Sequence, residues 1–317
     1  MIDLLNLAFP YFSLIFVGFA CGKFKQIPES GLEGINFFLL YVSLPALFFR
    51  ILAKTPFEQL SNPPFVIATT LTTAIGFTLA SIVALATGRV QRRQAVVAGL
   101  AGGYGNIGYM GPGLALATLG AKAAVPVALI FCFDNVFLFS LVPLLMALLD
   151  HDERPLWSTI RYVAKQILFH PLIVASYLGA LLAALHLEAP IAIDNTFLFL
   201  QNAAAPVALF ALGVTVALRP FERVSWEVPA VIAGKLLVQP LVAFGLLTLL
   251  GPFDPVWVAT ALLMASLPPA LNVFVIARQY NSWVAPASAA VLVGTFCSVV
   301  TLTTMMDLLR INWVGLN

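Results

Sequence analysis

The sequence predicts an all-α membrane protein of about ten transmembrane helices, built as a 5+5 inverted repeat in which helices 4 and 9 are broken. Three observations predict it. Of 317 residues, 61% are hydrophobic and 9% are charged, against roughly 25% charged in a soluble domain, so water is not the main solvent of this chain. Uncharged stretches of the roughly 20 residues that a spanning helix needs recur along its length, separated by short charged or Pro/Gly-containing segments. The two halves of the chain also share a pattern at a fixed offset.

Taken in order, the apolar stretches place helices near 2–22, 32–53, 64–87, 95–118, 122–148, 161–185, 192–217, 228–250, 256–278 and 284–309. The first has no cationic segment ahead of it, since the first Lys or Arg is Lys23, and it reads as a retained helix and not a cleaved leader. Cys21, Cys132 and Cys297 all fall inside apolar runs without metal-ligand spacing and read as packing residues. Ten spans put both termini on one side, and the basic residues of the short loops choose which. With the N-terminus outside, the inner loops hold Lys23, Lys25, Arg89, Arg92, Arg93, Arg154, Arg161, Lys165, Arg219, Arg223 and Arg278, whereas the outer side holds Arg50, Lys54, Lys122 and Arg310. The expectation is an inner-membrane protein with both termini periplasmic. The net charge of +2 is scattered between apolar runs, which excludes a nucleic-acid-binding stripe.

The longest hydrophilic stretch, Asp150 to Arg161, divides the chain into near-equal halves, 1–155 and 156–317. An offset of 161 pairs Pro10 with Pro171, Gly18 with Gly179, Leu39 with Leu200, Pro45 with Pro206 and Phe49 with Phe210. A repeat of five spans has an odd count, so its second copy enters the membrane from the opposite side, the symmetry that alternating access exploits.

The predicted fourth helix carries Gly102-Gly103-Tyr104-Gly105-Asn106-Ile107-Gly108-Tyr109-Met110-Gly111-Pro112-Gly113, a run in which Gly and Pro both disfavour a straight helix. With a five-residue shift of register, the ninth presents Ser266-Leu267-Pro268-Pro269-Ala270-Leu271-Asn272, and Asn272 stands opposite Asn106. Irregular backbone at mid-membrane is tolerated only where protein buries it or water lines it, so matched breaks imply a polar site between them. The N–H groups freed at the half-helix starts favour an anion. Asn106 and Asn272 either offer amide donors to a carboxylate or cap the half-helices. Tyr104, Gly105, Gly108, Pro268 and Pro269 complete the expected substrate site.

Gly103 to Gly108 also fits the dinucleotide fingerprint GxGxxG, but that motif needs a preceding strand and a βαβ unit, and membrane helix surrounds it here. The spacings Gly18 to Gly22 and Gly99 to Gly103 read as close helix contacts. Asp134, followed by Asn135, sits near the middle of the fifth helix, where a lone acid costs roughly 2.5–3.5 kcal/mol. It must face the protein interior, as a proton carrier, a cation ligand or a structural partner of broken backbone or of Lys235. Lys235 lies a third of the way into the eighth helix, within reach of the cytoplasmic surface by snorkelling, and joins Asp134 and Asn135 as a coupling candidate. His170 reads as a hydrogen-bonded packing residue, Arg278 as a topology anchor, and Pro45 and Pro206 as matched kinks.

Two segments resemble the auxin efflux carrier family, whose bacterial members are proposed permeases for malonate, malate and related acids. Asn106, Gly108, Tyr109, Met110 and Gly111 are similar to its fourth-helix pattern, and Pro269-Ala270 with Asn272, Phe274-Val275, Ala277 and Tyr280 to its ninth. The resemblance implies a fold related to bile acid sodium symporters, with crossed broken helices at the site. Helices 1, 2, 6 and 7 would form a scaffold, 3 to 5 and 8 to 10 a moving transport domain, and the scaffold a homodimer contact. This chain departs in placing Pro112 directly after Gly111 and in lacking the long central loop of plant auxin carriers, so auxin itself is not implied. Apart from Asp134, the predicted span interiors offer no acid for a carboxylate-rich sodium site.

The expected function is therefore secondary transport of a small organic anion, with a proton or a sodium ion as possible coupling ion and no cofactor. A channel or receptor-like protein would show oligomeric symmetry and polar faces along whole helices. An intramembrane enzyme would need a Ser/His, paired-Asp or metal constellation, which the few span-embedded ionisable residues do not supply. No Walker sequence is present for transport driven by ATP.

Overall fold

Apolar runs become helices here because, in lipid, every backbone polar group must be satisfied within its own segment. The computed structural model describes residues 2–25, 27–56, 62–149, 171–218 and 224–313, together with 161, 164, 165, 168 and 169. Among them no strand occurs, and one isolated antiparallel bridge joins Gly105 to Pro269. Helix α1 is Ile2–Phe24; α2 (Glu29–Phe38) runs through a widened turn at Leu39–Ser43 into α3 (Leu44–Ala53). There follow α4 (Pro63–Ala86), α5 (Arg92–Gly103), α6 (Gly111–Leu119) and α7 (Ala124–Leu149). In the second half α8 is Pro171–Ala184, α9 Ile191–Leu218 and α10 Glu227–Ala233, which continues through a widened turn at Gly234–Val238 into α11 (Gln239–Leu250). The last three are α12 (Pro255–Ala265), α13 (Asn272–Gln279) and α14 (Val284–Trp313).

Among the described residues, six stretches are long and apolar enough to cross a membrane: Ser30–Ala53, Pro63–Ala86, Ala124–Leu149, Ile191–Leu218, Glu227–Leu250 and Val284–Leu309. Shorter apolar helices cover Ser13–Phe24, Pro171–Ala184 and Pro255–Ala265. The protein is multi-pass. His170 lies outside the described residues, as do Arg154, Arg219 and Arg223. Both widened turns precede a proline, Pro45 and Pro240. Proline lacks an N–H and its ring crowds the carbonyl four residues back, Tyr41 and Leu236 here, so the hydrogen-bond ladder opens by one residue. Pro206 behaves differently from Pro45, because α9 runs uninterrupted through it.

The chain forms two compact units, each drawing on both halves of the sequence. Unit 1 comprises Met1–Asn62, Gly108–Cys132 and Phe169–Pro220; unit 2 comprises Pro63–Ile107, Phe133–Leu168 and Phe221–Asn317. Unit 1 is held by glycines that let backbones touch. A Cβ on Gly18 would sit 2.1 Å from the Phe210 carbonyl oxygen, one on Gly213 2.0 Å from that of Ile15, and one on Gly179 2.5 Å from that of Phe49. Gly22 packs against Val214 and Ala217 in the same way. At one end of unit 1, Arg50 Nε donates to Asp194 Oδ1 at 2.9 Å, Lys54 Nζ to Asp194 Oδ2 at 2.7 Å, and a second Arg50 nitrogen to Gln201 Oε1 at 3.1 Å. In unit 2, Gly99 and Gly103 bring α5 onto α4, where Cβ atoms would meet the carbonyls of Phe77 and Thr73, each at 2.8 Å. Large side chains such as Phe16, Phe199, Leu241, Leu249 and Val300 remain exposed on the helices, as lipid-facing residues must.

Candidate functional site

Helix α5 stops at Gly103, and Tyr104 turns extended (φ −90°, ψ 99°). Residues 104–110 are not α-helical before α6 restarts at Gly111. Helix α12 stops at Ala265, and Pro268-Pro269, which supply no N–H, hold the next stretch open until α13 begins at Asn272. Both interruptions stand where the glycine- and proline-rich runs predict them. They are bonded to each other: the Asn106 N–H donates to the Pro268 carbonyl at 2.8 Å, and the Ala270 N–H to the Tyr104 carbonyl at 3.0 Å. Gly105 is opposite Pro269 in this bridge. The N–H groups of Asn106 and Ala270, which precede the half-helix starts at Gly111 and Asn272, are thus spent joining the breaks. Neither asparagine is an N-cap of the restarting helices: those of α6 and α13 are Met110 and Leu271 and carry no side-chain cap bond.

The second turn of polar contacts comes from the widened turn between α10 and α11. Lys235 is fully buried at 0% exposure and donates from Nζ to the Ala265 carbonyl at 2.8 Å. It does not snorkel to a surface. One turn on, the buried Gln239 donates from Nε2 to the Gly103 carbonyl at 3.0 Å. These two carbonyls belong to the last residues of α12 and α5, so a single turn satisfies the C-terminal end of both broken helices, where the helix dipole favours a cation or a donor. A Cβ on Gly105 would stand 3.2 Å from Lys235 Nζ and 3.3 Å from the Met264 carbonyl, so a side chain there would crowd the Lys235 ammonium.

Asp134 and Asn135 are buried at 5% and 3% exposure. Asp134 Oδ2 accepts from Thr73 Oγ1 at 2.7 Å, and its other oxygen has no partner among the described residues. The Tyr104 hydroxyl donates to Asn135 Oδ1 at 2.5 Å and accepts from Asn272 Nδ2 at 3.3 Å. That one hydroxyl ties the first break, the fifth predicted span and α13. Asn106 is 1% exposed, and its side-chain oxygen accepts nothing among the described residues. The structure therefore brings together Tyr104, Gly105, Asn106, Pro268, Pro269, Asn272, Asn135 and Lys235 within unit 2. Gly108 belongs to unit 1, where a Cβ would meet the Phe131 ring at 3.1 Å. No group of His, Cys, Asp and Glu able to hold a metal occurs among the described residues.

A family model described as membrane transport protein matches residues 4–306. The chain belongs to that family. It is the family that the residues around Asn106 and Asn272 resemble. The chain is 42% identical over 310 residues, 98% of its length and 97% of the relative's, to a Rhizobium meliloti (strain 1021) protein named "Putative malonate transporter". It is 24% identical over 301 residues, 92% of its length and 93% of the relative's, to the uncharacterized transporter YfdV of Escherichia coli (strain K12). A transporter of Methanothermobacter thermautotrophicus, also uncharacterized, is 24% identical over 296 residues, 91% of the chain and 93% of the relative. Family and names alike point to membrane transport and not to catalysis.

In this transporter, Gln239 and Thr73 join the candidate site through their hydrogen bonds, and sequence reasoning missed both. A signal for Gln239 was available, since it is a polar residue inside a predicted span, one helical turn from Lys235. Tyr104→Phe removes the hydroxyl shared by Asn135 and Asn272, and thermal unfolding in detergent should show a loss of about 1–3 kcal/mol, the cost of stranding buried polar groups.

Proposed function

We propose that this transporter carries a small organic anion, a mono- or dicarboxylate, across the inner membrane by alternating access in an elevator-like motion. The observation that carries the reading is the pair of interrupted helices bonded at Gly105 and Pro269, with Asn106 and Asn272 flanking the bond. Irregular backbone placed in the middle of a membrane protein is the usual seat of a transported solute. A half-turn of the Asn106 amide aims Nδ2 where the unpartnered Oδ1 now lies, which suits it to a carboxylate. The relative named as a malonate transporter supports the same class of cargo. Asn106 and Asn272 are the substrate residues in this reading, with Tyr104, Gly105, Pro268 and Pro269 around them.

An inverted repeat of two five-helix halves, with both termini periplasmic, fits the unit 1 contacts. Gly18 rests on Phe210 while its counterpart Gly179 rests on Phe49, the counterpart of Phe210. A two-fold relation between the halves produces crosswise contacts of that kind. Predicted helices 1, 2, 6 and 7 serve as the scaffold, through which a homodimer forms, and helices 3 to 5 with 8 to 10 as the moving body. Asp134, Asn135 and Lys235 are the coupling residues, for a proton or a sodium ion. The unpartnered acceptor oxygens of Asp134 and Gln239 support a role for a cation or proton there.

Proteoliposomes loaded against labelled malonate, malate and acetate, with imposed proton or sodium gradients, test the reading. Asn106→Ala and Asn272→Ala should each lower uptake roughly 10- to 100-fold, the equivalent of a hydrogen bond to a charged group at about 1.5–3 kcal/mol. Uptake unchanged in both folded variants would remove the site assignment.

A further inference from the structure

We infer that Gln201 and Asn202 form a second carboxylate-binding point, in a cavity inside unit 1, and set which anions the transporter accepts. The inference rests on reading the cargo as a small organic anion. The cavity has a volume of about 170 Å³ and is lined by Leu44 and Leu47, by Gly108 and Tyr109 with the start of α6, and by Gln201 and Asn202 of α9. All of these belong to unit 1.

The two amides stand 11 and 12 residues along the 28-residue α9, about 15 Å from its start at 1.5 Å per residue. That is close to the middle of a hydrocarbon layer about 30 Å thick. Polar side chains at such a depth need a partner. Asn202 is exposed and makes no hydrogen bond among the described residues. Gln201 is half-buried, and its side chain is oriented from behind. Arg50 can only donate, so its bond to Gln201 at 3.1 Å fixes Oε1 as the atom facing Arg50. Asp194 in turn holds the guanidinium at 2.9 Å. What Gln201 has left to offer is Nε2, with two N–H donors and no partner among the described residues.

No acidic side chain lines the cavity. Its unspent polar groups among the described residues are the amide of Asn202, the Tyr109 hydroxyl and the donor end of Gln201, with a guanidinium behind the last. That chemistry takes a carboxylate oxygen or another acceptor and disfavours a cation. Apolar Leu44 and Leu47 in the lining suit the short carbon chain of the acid.

The test measures KM and maximal rate of labelled malonate uptake in proteoliposomes containing the full chain, with competition by neutral malonamide. Gln201→Leu should raise KM at least 10-fold with the maximal rate within about twofold of wild type. Asn202→Asp, isosteric and at an exposed position, should raise it as much by repulsion and retains the test if the first variant misfolds. Malonamide should compete poorly with malonate in wild type. Wild-type uptake with KM unmoved in folded variants overturns this inference alone. A changed oligomeric state with KM unmoved overturns it too, by assigning the amides to a contact between copies. Wild-type liposomes closed to every carboxylate overturn the cargo reading and this inference with it.

Discussion

Lys235→Met is expected to abolish uptake and to lower the unfolding free energy by about 3–5 kcal/mol, the usual cost of stranding one member of a buried charge set. Among the described residues the buried charged groups are Asp134, Glu227 and Lys235, all in unit 2. Glu227 is engaged by Trp283, whose Nε1 donates to it at 3.0 Å, which leaves Lys235 as the one buried cation to balance Asp134. Methionine keeps the volume and removes both the charge and the bond to the Ala265 carbonyl. The end of α12 is then left unsatisfied at the point where the breaks are joined. Thermal unfolding in detergent checks the stability loss. The double variant Lys235→Met with Asp134→Asn should lose less than the two single losses together, by about 0.5–3 kcal/mol, if the two groups depend on each other. Full uptake by folded Lys235→Met would end its candidacy as a coupling residue.

That prediction could not be written from the sequence, and the reason is physical. Snorkelling was the local expectation for Lys235 because a lysine near a span end costs least with its ammonium in water. What holds it inside is a carbonyl 30 residues away, made available only because α12 stops short. The breaks themselves were legible, since Gly102-Gly103 and Pro268-Pro269 spoil a helix through local backbone chemistry. Their mutual bonding was not, because it pairs Asn106 with Pro268 across the length of the chain. The bond from Gln239 to the Gly103 carbonyl was not legible either, because it exists only once α5 ends at Gly103. Pro45 and Pro206 show the same boundary from the other side. Each lacks an N–H, yet only the turn before Pro45 widens, so whether the ladder opens depends on surroundings that the register of the two prolines does not carry.

Glycine contacts, by contrast, follow from spacing, and they support the second large effect. Gly18→Leu and Gly179→Leu should each destabilise unit 1 by about 3 kcal/mol or more, at or beyond the top of the range for overpacking a core. The added Cβ would meet a backbone carbonyl at 2.1 Å in one case and 2.5 Å in the other, and a backbone oxygen cannot swing aside as a side chain does. Gly34→Leu and Gly245→Leu are the controls. Nothing lies within 4 Å of a Cβ at either position. Both are exposed on helices, where replacing glycine gains up to roughly 1 kcal/mol of helix propensity. Thermal unfolding should therefore separate the four variants into two severe and two silent. The severe pair carries the further weight, because the offset of 161 residues that pairs Gly18 with Gly179 also pairs Phe49 with Phe210, whose carbonyls they meet. Matched losses are what a repeated five-helix unit requires; one severe and one silent leucine would leave the contacts real and the repeat without its physical basis.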